Sequence, residues 1–413
     1  MKSINITSKI SGGILVVPIA KKDGHVICES DIPTIDAKAI NGALAKIGAT
    51  AAVDEVLKFP ISENLLIVTT GLGKHSKSYS LENLRRAAGA AARSLVGEKS
   101  ATFVFPTKSE SELAAVAEGA ALGSYVFLDF RGSTKNETKP ALEEVVLYSK
   151  EAAKIDLKSL LKRVEVLAKY TYLIRDLINT PPSHLTPAVF ANEMVKLAKT
   201  LKLKYEVLDE KALKTKGYGG ITAVGQGSVN PPRLLRISYT PTKAKKHFAL
   251  VGKGITFDTG GLALKPASGM EAMKADMSGA AAVVATVFAA AELKLPIAID
   301  AWAPMAENMV SDNATRPSDI IKIYGGKTVE VLNPDAEGRL ILADALVRAV
   351  REGNEAEVLA VAQKTVEGAF SLGEAIQRGI GETSLCGLRR PSYGNLLAYV
   401  PSHFNPPIAV APS

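Results

Sequence analysis

The sequence predicts an α/β protein of two domains, a smaller N-terminal α/β domain and a C-terminal α/β domain with a mixed, mostly parallel sheet covered by helices. Three observations lead to this prediction. The 413 residues are enough for two domains that each have a full core. Short apolar runs of strand length alternate with alanine-rich helical runs along the chain, and Pro181-Pro182 interrupts the alternation near its middle.

Residues 1–150 are predicted to form the N-terminal domain, in which β-rich runs alternate with helical ones. Residues 151–180 are predicted to form a connecting helix because their apolar positions recur at helical spacing and Pro181-Pro182 follows. The predicted strands are Ile14–Ile19, Asn64–Thr69, Ala101–Phe105 and Val145–Tyr148, and the predicted helices are Leu81–Leu95 and Glu110–Leu122.

Residues 181–413 are predicted to form the second domain, which carries every candidate catalytic group. Its predicted helices are Val189–Leu201, Ala280–Leu293 and Leu340–Val350; its predicted strands are Tyr205–Leu208, Leu234–Tyr239, Phe248–Val251 and Ile297–Ala303; and Gly217–Gly227 is predicted to be a glycine-rich turn.

The composition, 47% hydrophobic and 22% charged residues, is ordinary for a globular protein. The net charge of +8 comes from lysines spread along the whole chain, which favours a solvated basic surface over a nucleic-acid patch, although nucleic-acid binding stays open. Cys28 and Cys386 lie in no motif, which fits a reducing compartment. No uninterrupted apolar stretch is long enough to span a bilayer, so we expect a cytoplasmic protein with no membrane partner.

The chemistry is concentrated in two stretches of the second domain. In the later one, Asp335 and Glu337 lie between an apolar strand and a helix. The earlier one places Asp258 after another apolar run, so carboxylates at the carboxyl ends of parallel strands are expected to meet in one crevice. Five donors suit a pair of divalent metal ions, and two further cations remain for catalysis. The donors are Lys253, Asp258, Asp276, Asp335 and Glu337, and the cations are Lys265 and Arg339.

Metal-assisted hydrolysis is the reaction class that this set of residues favours. Two ions that share carboxylates would clamp a hydroxide, and a nearby ammonium group would help to polarise a carbonyl. The carboxylate-rich set favours Mn²⁺, with Zn²⁺ or Mg²⁺ as alternatives. The five histidines show no paired spacing for zinc, and the chain has no Gly-x-Ser-x-Gly motif and no plausible cysteine nucleophile.

Each of these residues also has a simpler structural interpretation when it is taken alone. Asp335 and Glu337 could cap the helix that follows them, and Asp276 could begin the helix through Ala280. Lys253 and Lys265 could be ordinary solvated lysines. Only the occurrence of the whole set favours catalysis.

The same stretches make the sequence similar to the leucyl (cytosol) aminopeptidases, the M17 family of metallopeptidases. The family signature Asn-Thr-Asp-Ala-Glu-Gly-Arg-Leu appears with Pro334 in place of threonine. The resemblance extends over about residues 12–361. It rests on Asn333–Leu340, Val251–Gly261, Lys265, Met273–Met277, Arg175–Pro182, Val224–Gly227, Asn308-Met309, Asn313–Pro317, Leu84–Gly89 and Ala117–Ala120.

The resemblance implies a role for each candidate residue. Lys253 and Asp276 would hold one ion, Asp335 would hold the other, and Asp258 and Glu337 would bridge both. A lysine ligand must be neutral, so the pKa of Lys253 would have to be strongly lowered beside two dications. Lys265 would stabilise the oxyanion, and Arg339 would hold a bicarbonate ion that shuttles a proton.

The resemblance also implies an aminopeptidase that acts on peptides with a free N-terminus, prefers leucine and other apolar residues, and assembles as a homohexamer. After Ala362 the family's Thr-Leu-Thr-Gly is replaced by Gln363–Gly368, and residues 362–413 diverge, so we expect a shortened or frame-shifted chain. Two alternatives remain, a catalytically impaired homologue with a structural role and an accessory DNA-binding role.

Overall fold

The computed structural model describes residues 1–361 except 11, 12, 31, 34, 151–153 and 353–356, and it describes the strand 357–361 by its backbone alone. The expectations for residues 362–413 lie outside the described residues. The chain divides into two compact units, Met1–Thr180 and the part that begins at Pro181. Each unit has its own sheet, which agrees with the predicted α/β class of two domains.

The described part of the first unit is built on a seven-stranded sheet in the order β1-β7-β6-β2-β5-β4, with β3 paired to β2. The neighbours from β1 through β5 in this order pair in parallel, whereas β4 and β3 pair antiparallel. The strands are β1 (Ser3–Thr7), β2 (Gly13–Lys22), β3 (His25–Cys28), β4 (Val56–Ser62), β5 (Leu65–Lys74), β6 (Ser100–Val104) and β7 (Glu144–Tyr148). The helices are α1 (Ala37–Lys46), α2 (Leu81–Ser94), α3 (Glu110–Gly123) and α4 (Leu157–Asn179).

Helices α2, α3 and α4 begin where side-chain oxygens accept hydrogen bonds from their first turns. Ser80, Ser109 and Asp156 provide these N-caps. The helix predicted at 151–180 belongs to the first unit, since Leu160 and Val164 lie in that unit's core and the Tyr172 hydroxyl donates to Ser124 O at 3.0 Å.

The described part of the second unit is built on a six-stranded mixed sheet in the order β15-β10-β12-β9-β8, with β11 also paired to β12. A separate hairpin joins β13 and β14. The strands are β8 (Lys204–Leu208), β9 (Arg233–Tyr239), β10 (His247–Gly252), β11 (Gly254–Asp258), β12 (Ala298–Asn308), β13 (Asp319–Lys322), β14 (Thr328–Val331) and β15 (Glu357–Val361). The helices are α5 (Pro187–Thr200), α6 (Glu210–Lys216), α7 (Gly219–Gly225), the single turn α8 (Ala267–Met270), α9 (Ser278–Glu292) and α10 (Gly338–Glu352).

The long strand β12 organises the second unit. Its first half pairs in parallel with β10, up to Trp302, and its last residues pair in parallel with β11, from Met305 onward. The sequence predicted that this strand would end at Ala303, but it continues through Pro304 to Asn308. Pro304 pairs with Leu234 of β9 on one side and lies opposite the break between β10 and β11 on the other, and an interrupted ladder is a place where proline is tolerated.

The predicted glycine-rich turn at Gly217–Gly227 is wrong in its central part, which forms α7. A Cβ atom at Gly219 would lie 2.0 Å from Lys322 O, and one at Gly220 would lie 2.2 Å from Leu340 O. These glycines therefore permit close contacts of α7 with β13 and with α10, while Gly217, with φ of 82°, ends the preceding helix.

The segment Ala267–Glu292 is long and apolar enough to count as a candidate membrane span, yet 78% of its most apolar window is buried inside the protein. Ser268 and Gly269 interrupt it with non-helical backbone angles. Its apolar character is explained by α9, which packs against β12 in the core.

We expect Gly119→Ala to destabilise the first unit, because a Cβ atom there would lie 2.1 Å from Arg85 O in the neighbouring helix. Forcing α2 and α3 apart should cost about 1–3 kcal/mol of unfolding free energy. Urea unfolding followed by circular dichroism measures the change. Gly42→Ala is the matched control, since Gly42 lies in α1 with nothing within 4 Å of its Cβ position. The control should gain about 0.5–1 kcal/mol, and equal stabilities for the two variants would contradict the packing argument.

Candidate metal centre

Lys253 lies at the break between β10 and β11, where the chain leaves one half of the β12 ladder and joins the other. Its carbonyl accepts a hydrogen bond of 2.7 Å from Ala280 N, near the start of α9. Its side chain runs along Gly338, where a Cβ atom would lie 2.7 Å from the lysine Cδ and Cε atoms. Glycine at the first position of α10 is therefore what lets the lysine stem pass.

Asp258 is the last residue of β11, and its register partner on β12 is Asn308. Asp258 Oδ1 accepts hydrogen bonds from Gly260 N at 2.8 Å and from Asn308 Nδ2 at 2.9 Å. The chain then reverses through Gly260 and Gly261, whose φ values of 85° and 59° favour glycine. This return brings Lys265 back beside Asp258.

Asp335 and Glu337 lie on the short 3₁₀ turn Pro334–Ala336 and on the residue that follows it, directly before α10. Asn333 Oδ1 accepts from Asp335 N at 2.9 Å and so orients the turn. The sequence argument placed these carboxylates after a strand of the main sheet, and this is wrong: β14 belongs to the separate hairpin. They reach the other ligands because Asn308 Nδ2 donates to Pro334 O at 3.0 Å.

Asp276 follows a 3₁₀ turn and precedes α9. Its carbonyl accepts from Ile255 N at 3.2 Å, which attaches the turn to β11. Asp276 is 2% exposed, so its carboxylate points into the protein and not toward solvent as a helix-starting residue would.

Two ammonium groups connect the four carboxylates in the described structure. Lys253 Nζ lies 2.7 Å from Asp276 Oδ1 and 2.7 Å from Glu337 Oε1. Lys265 Nζ lies 2.9 Å from Asp258 Oδ2 and also contacts Asp335 Oδ1. One ligand oxygen from each of Asp258, Asp335 and Glu337 lies within 4.8 Å of the others. The structure thus brings all five predicted ligands and Lys265 together.

The buried carboxylates are short of hydrogen-bond donors. Within the described residues, Asp276 Oδ2 and both oxygens of Glu337 have no hydrogen-bond partner, although Glu337 Oε1 is in ion-pair distance of Lys253. Each buried acceptor without a donor costs about 1–3 kcal/mol. The two that also lack an ion-pair contact among the described residues, Asp276 Oδ2 and Glu337 Oε2, together are a substantial fraction of a typical folding free energy of about 5–15 kcal/mol.

Burial also shifts the pKa values of the same two carboxylates, Asp276 and Glu337. Burial raises the pKa of Asp276 to about 8, although Lys253 acts in the opposite direction. Burial also raises the pKa of Glu337, and the charge of Asp258 adds to this effect while Lys253 opposes it. These directions show that the protein groups alone do not fully compensate the negative charge.

The pKa of Lys253 moves in the direction opposite to that expected for a metal ligand. Burial disfavours the ammonium form, but Glu337 and Asp276 outweigh it and raise the pKa. Burial likewise acts against the charge of Lys265, and hydrogen bonds to Asp335 and Asp258 raise its pKa above the usual range. A neutral Lys253 therefore requires cations that engage its two carboxylates.

The residues fit divalent metal ions. The oxygen donors of Asp258, Asp335 and Glu337 are clustered, and buried oxygens of Asp276 and Glu337 lack hydrogen-bond partners among the described residues, which is the environment that a hard cation compensates. Four carboxylates against two ammonium groups leave a surplus of negative charge when all of them are ionised. Arg339, in contrast, is exposed on the first turn of α10, and no salt bridge joins it to the cluster in the described part of the chain.

Comparison with known proteins identifies the family. A model of the cytosol aminopeptidase family, catalytic domain, matches residues 172–384, and a model of that family's N-terminal domain matches residues 16–134. The match to the catalytic domain continues past Ala362, after which Gln363–Gly368 replaces the family's Thr-Leu-Thr-Gly. The chain belongs to the cytosol aminopeptidase family. It is accordingly a metallo-aminopeptidase, a hydrolase of peptides.

Individual relatives agree with this assignment. A probable cytosol aminopeptidase from Streptomyces griseus is 46% identical over 365 residues, covering 83% of this chain and 71% of the relative. One from Micrococcus luteus is 43% identical over 388 residues, covering 92% and 74%. Among solved structures, the bottromycin maturation enzyme BotP in complex with Mn has a TM-score of 0.71 and 33% identity, covering 88% of this chain and 75% of that one.

Asn308 is the residue that sequence reasoning did not place in the site. Asn308 is 5% exposed. Its side-chain amide nitrogen donates both to the Asp258 carboxylate and to the Pro334 carbonyl. Its backbone carbonyl accepts from Thr259 N at 3.0 Å. The signal in the sequence was the agreement of Asn308-Met309 with the aminopeptidase family, beyond the predicted end of the strand at Ala303. Its geometry makes it a positioning residue that joins the two ligand loops.

We expect Asn308→Ala to weaken Mn²⁺ binding by about 10–100-fold, because the Asp258 loop and the Asp335 loop lose their common amide. Isothermal titration calorimetry measures the affinity, and circular dichroism checks the fold. Asn192→Ala, at an exposed position of α5, is the matched control and should bind as the wild type does. Unchanged affinity in Asn308→Ala would refute the positioning role.

Proposed function

We propose that this chain is a two-metal aminopeptidase that removes the N-terminal residue of peptides and prefers leucine and other apolar residues. The observation that carries the proposal is the cluster of Asp258, Asp335 and Glu337, of which Asp258 and Glu337 are buried, with Lys265 at its edge in a chain of the aminopeptidase family. The relatives' description as cytosol aminopeptidases supports a cytoplasmic location.

The proposed ligand assignment is the one that the resemblance to the aminopeptidase family implies. Lys253 and Asp276 would hold one ion, Asp335 would hold the other, and Asp258 and Glu337 would lie between them. Two dications would balance the four carboxylates if Lys253 were neutral, which leaves Lys265 as the charged lysine of the site. Mn²⁺ is the proposed ion, and BotP, whose fold is similar, was solved in complex with Mn. When bound, the ions would lower the pKa of a water molecule and polarise the scissile carbonyl.

The chain's own residues supply the remaining functions. The Lys265 ammonium, held by Asp258 and Asp335, would stabilise negative charge on the substrate's carbonyl oxygen. A substrate with a free amino terminus would be favoured over one with a blocked terminus, because its amine would add a ligand to the ion that Lys253 and Asp276 would hold. Arg339 is exposed beside the site and is proposed to hold bicarbonate for proton transfer. A homohexamer remains a prediction that sizing of the purified protein would test.

We expect the protein to hydrolyse leucine amide with added Mn²⁺ and to lose this activity on treatment with a chelator. N-acetyl-leucine amide, which lacks the free amine, should not be hydrolysed. Glu337→Gln should lower kcat/KM by about 10³-fold or more and reduce metal content, because it removes a buried charge from the ligand set. Glu330→Gln on β14 is the exposed control and should keep wild-type activity.

Two results would count against this proposal. Full activity in Glu337→Gln would exclude the assigned metal centre. A wild-type protein that binds Mn²⁺ but does not hydrolyse leucine amide would favour the alternative, a catalytically impaired homologue.

We expect Lys265→Ala to lower kcat by about 10²–10³-fold with little change in KM, because its charge acts on the transition state. Metal content should stay near the wild-type value, which separates this effect from loss of a ligand. Lys265→Arg should recover part of the rate, and Lys327→Ala, an exposed lysine, is the matched control. An equal loss of metal and activity in Lys265→Ala would show a structural role instead.

A further inference from the structure

A cavity of about 670 Å³ opens in the first unit, and all of its described lining residues belong to that unit. It lies at the carboxyl ends of β6 and β7, where the chain continues into the segment Phe105–Ser109 and into Ser149. Its volume falls in the range of sites that hold small organic ligands, about 300–1,000 Å³. The peptidase proposal assigns no role to it.

The strand order of the sheet in the first unit also favours a ligand site at this cavity. From β2 the chain builds β5 on one side and then returns to place β6 on the other side of β2. The strand order therefore reverses between β2 and β6, and open α/β sheets bind ligands in the crevice outside such a point. The cavity reaches Glu29 and Ser30, which follow β3, the partner of β2.

The cavity has an apolar wall and buried hydroxyl groups. Val104, Phe105 and Tyr148 are buried, and Pro106 and Ile155 are partly buried beside them. Ser30 and Ser149 are each 5% exposed, so polar atoms accompany the apolar wall. Such a lining suits a flat or apolar body that also carries a few polar groups.

Positive charge collects at the rim. Lys108, Lys150 and Lys154 are exposed lining residues, and Glu110 is the exposed acid among them. Glu29 is engaged elsewhere, since its carboxylate lies 2.6 Å from His75 Nδ1. The three ammonium groups that line the rim favour an anionic ligand group there.

The lysines, and not the start of α3, are the anchor for that group. Ser109 Oγ accepts from Glu112 N at 3.2 Å, and the Glu112 carboxylate accepts from Lys108 N at 2.6 Å. The helix start is thus capped by its own residues. Lys108 Nζ donates to Lys77 O at 2.8 Å, which holds its ammonium at the rim and leaves it two further donors.

We propose that this cavity binds a small organic phosphate with an aromatic body, of the size of a nucleoside monophosphate. The phosphate contacts the rim lysines, and the aromatic body lies against the wall of Phe105, Pro106 and Tyr148. This site is separate from the peptidase centre, because no residue is shared between them.

Isothermal titration calorimetry on the full-length chain tests the proposal with AMP, adenosine, ribose 5-phosphate and inorganic phosphate as probes. AMP should bind, and each of the other probes should bind at least about tenfold more weakly, since each lacks the base or the phosphate. Raising the salt concentration should weaken AMP binding.

Variants locate the site. Lys108→Gln combined with Lys154→Gln should weaken AMP binding by about tenfold or more, whereas Lys108→Arg with Lys154→Arg should retain it. Lys38→Gln, an exposed lysine of α1 outside the cavity, is the matched control, and thermal melts confirm that each variant is folded. The proposal is overturned if AMP shows no binding at about 1 mM, if ribose 5-phosphate binds as well as AMP, or if the glutamine variant binds AMP as tightly as the control does. Since binding is measured directly, the outcome does not depend on peptidase activity.

Discussion

The burial of three carboxylates in one cluster, beside the partly exposed Asp335, is the constraint on which the second unit depends. Asp258, Asp276 and Glu337 are each at most 2% exposed, and two lysines alone do not compensate them. Charges that lose their hydration must find partners, or else they become protonated. The raised pKa of Asp276 shows the second tendency, and the ion pairs with Lys253 and Lys265 show the first. Divalent cations would resolve this conflict in a way that the side chains cannot.

The backbone adopts three special local conformations to form this cluster. The chain breaks the ladder at Lys253, reverses through Gly260 and Gly261 in left-handed geometry, and admits no Cβ atom at Gly338. Each feature brings a ligand or a catalytic group to the end of β12. The long strand β12 therefore acts as the rigid reference, and Asn308 at its end joins the two ligand loops. A site held on rigid strands with short connecting loops has the precision that metal ligation needs.

Much of this centre could be predicted from the sequence because its groups are contiguous. Asp335 and Glu337 occur in one short motif, and Lys253 and Asp258 occur in another, so spacing alone indicates metal chemistry. The expectation that both carboxylate loops follow strands of one sheet was only half correct. Asp258 ends β11 of the main sheet, but Asp335 and Glu337 follow β14, which belongs to the separate hairpin. Spacing along the chain does not reveal which strands pair. For the same reason, the sequence did not show that Asn308 joins the two loops, or that the glycines of α7 serve helix packing and not a turn.

The cavity of the first unit could not be predicted from the sequence at all. Its charged groups, Lys108, Lys150 and Lys154, occur in two separate stretches of a lysine-rich chain and look like ordinary surface residues. Only the parallel arrangement of β6 and β7 brings those stretches to the same edge of the sheet. A metal centre needs unusual residues buried together, and this leaves a signature in the sequence. A phosphate site can be assembled from common lysines at a strand-order reversal, so the fold carries the information that its sequence lacks.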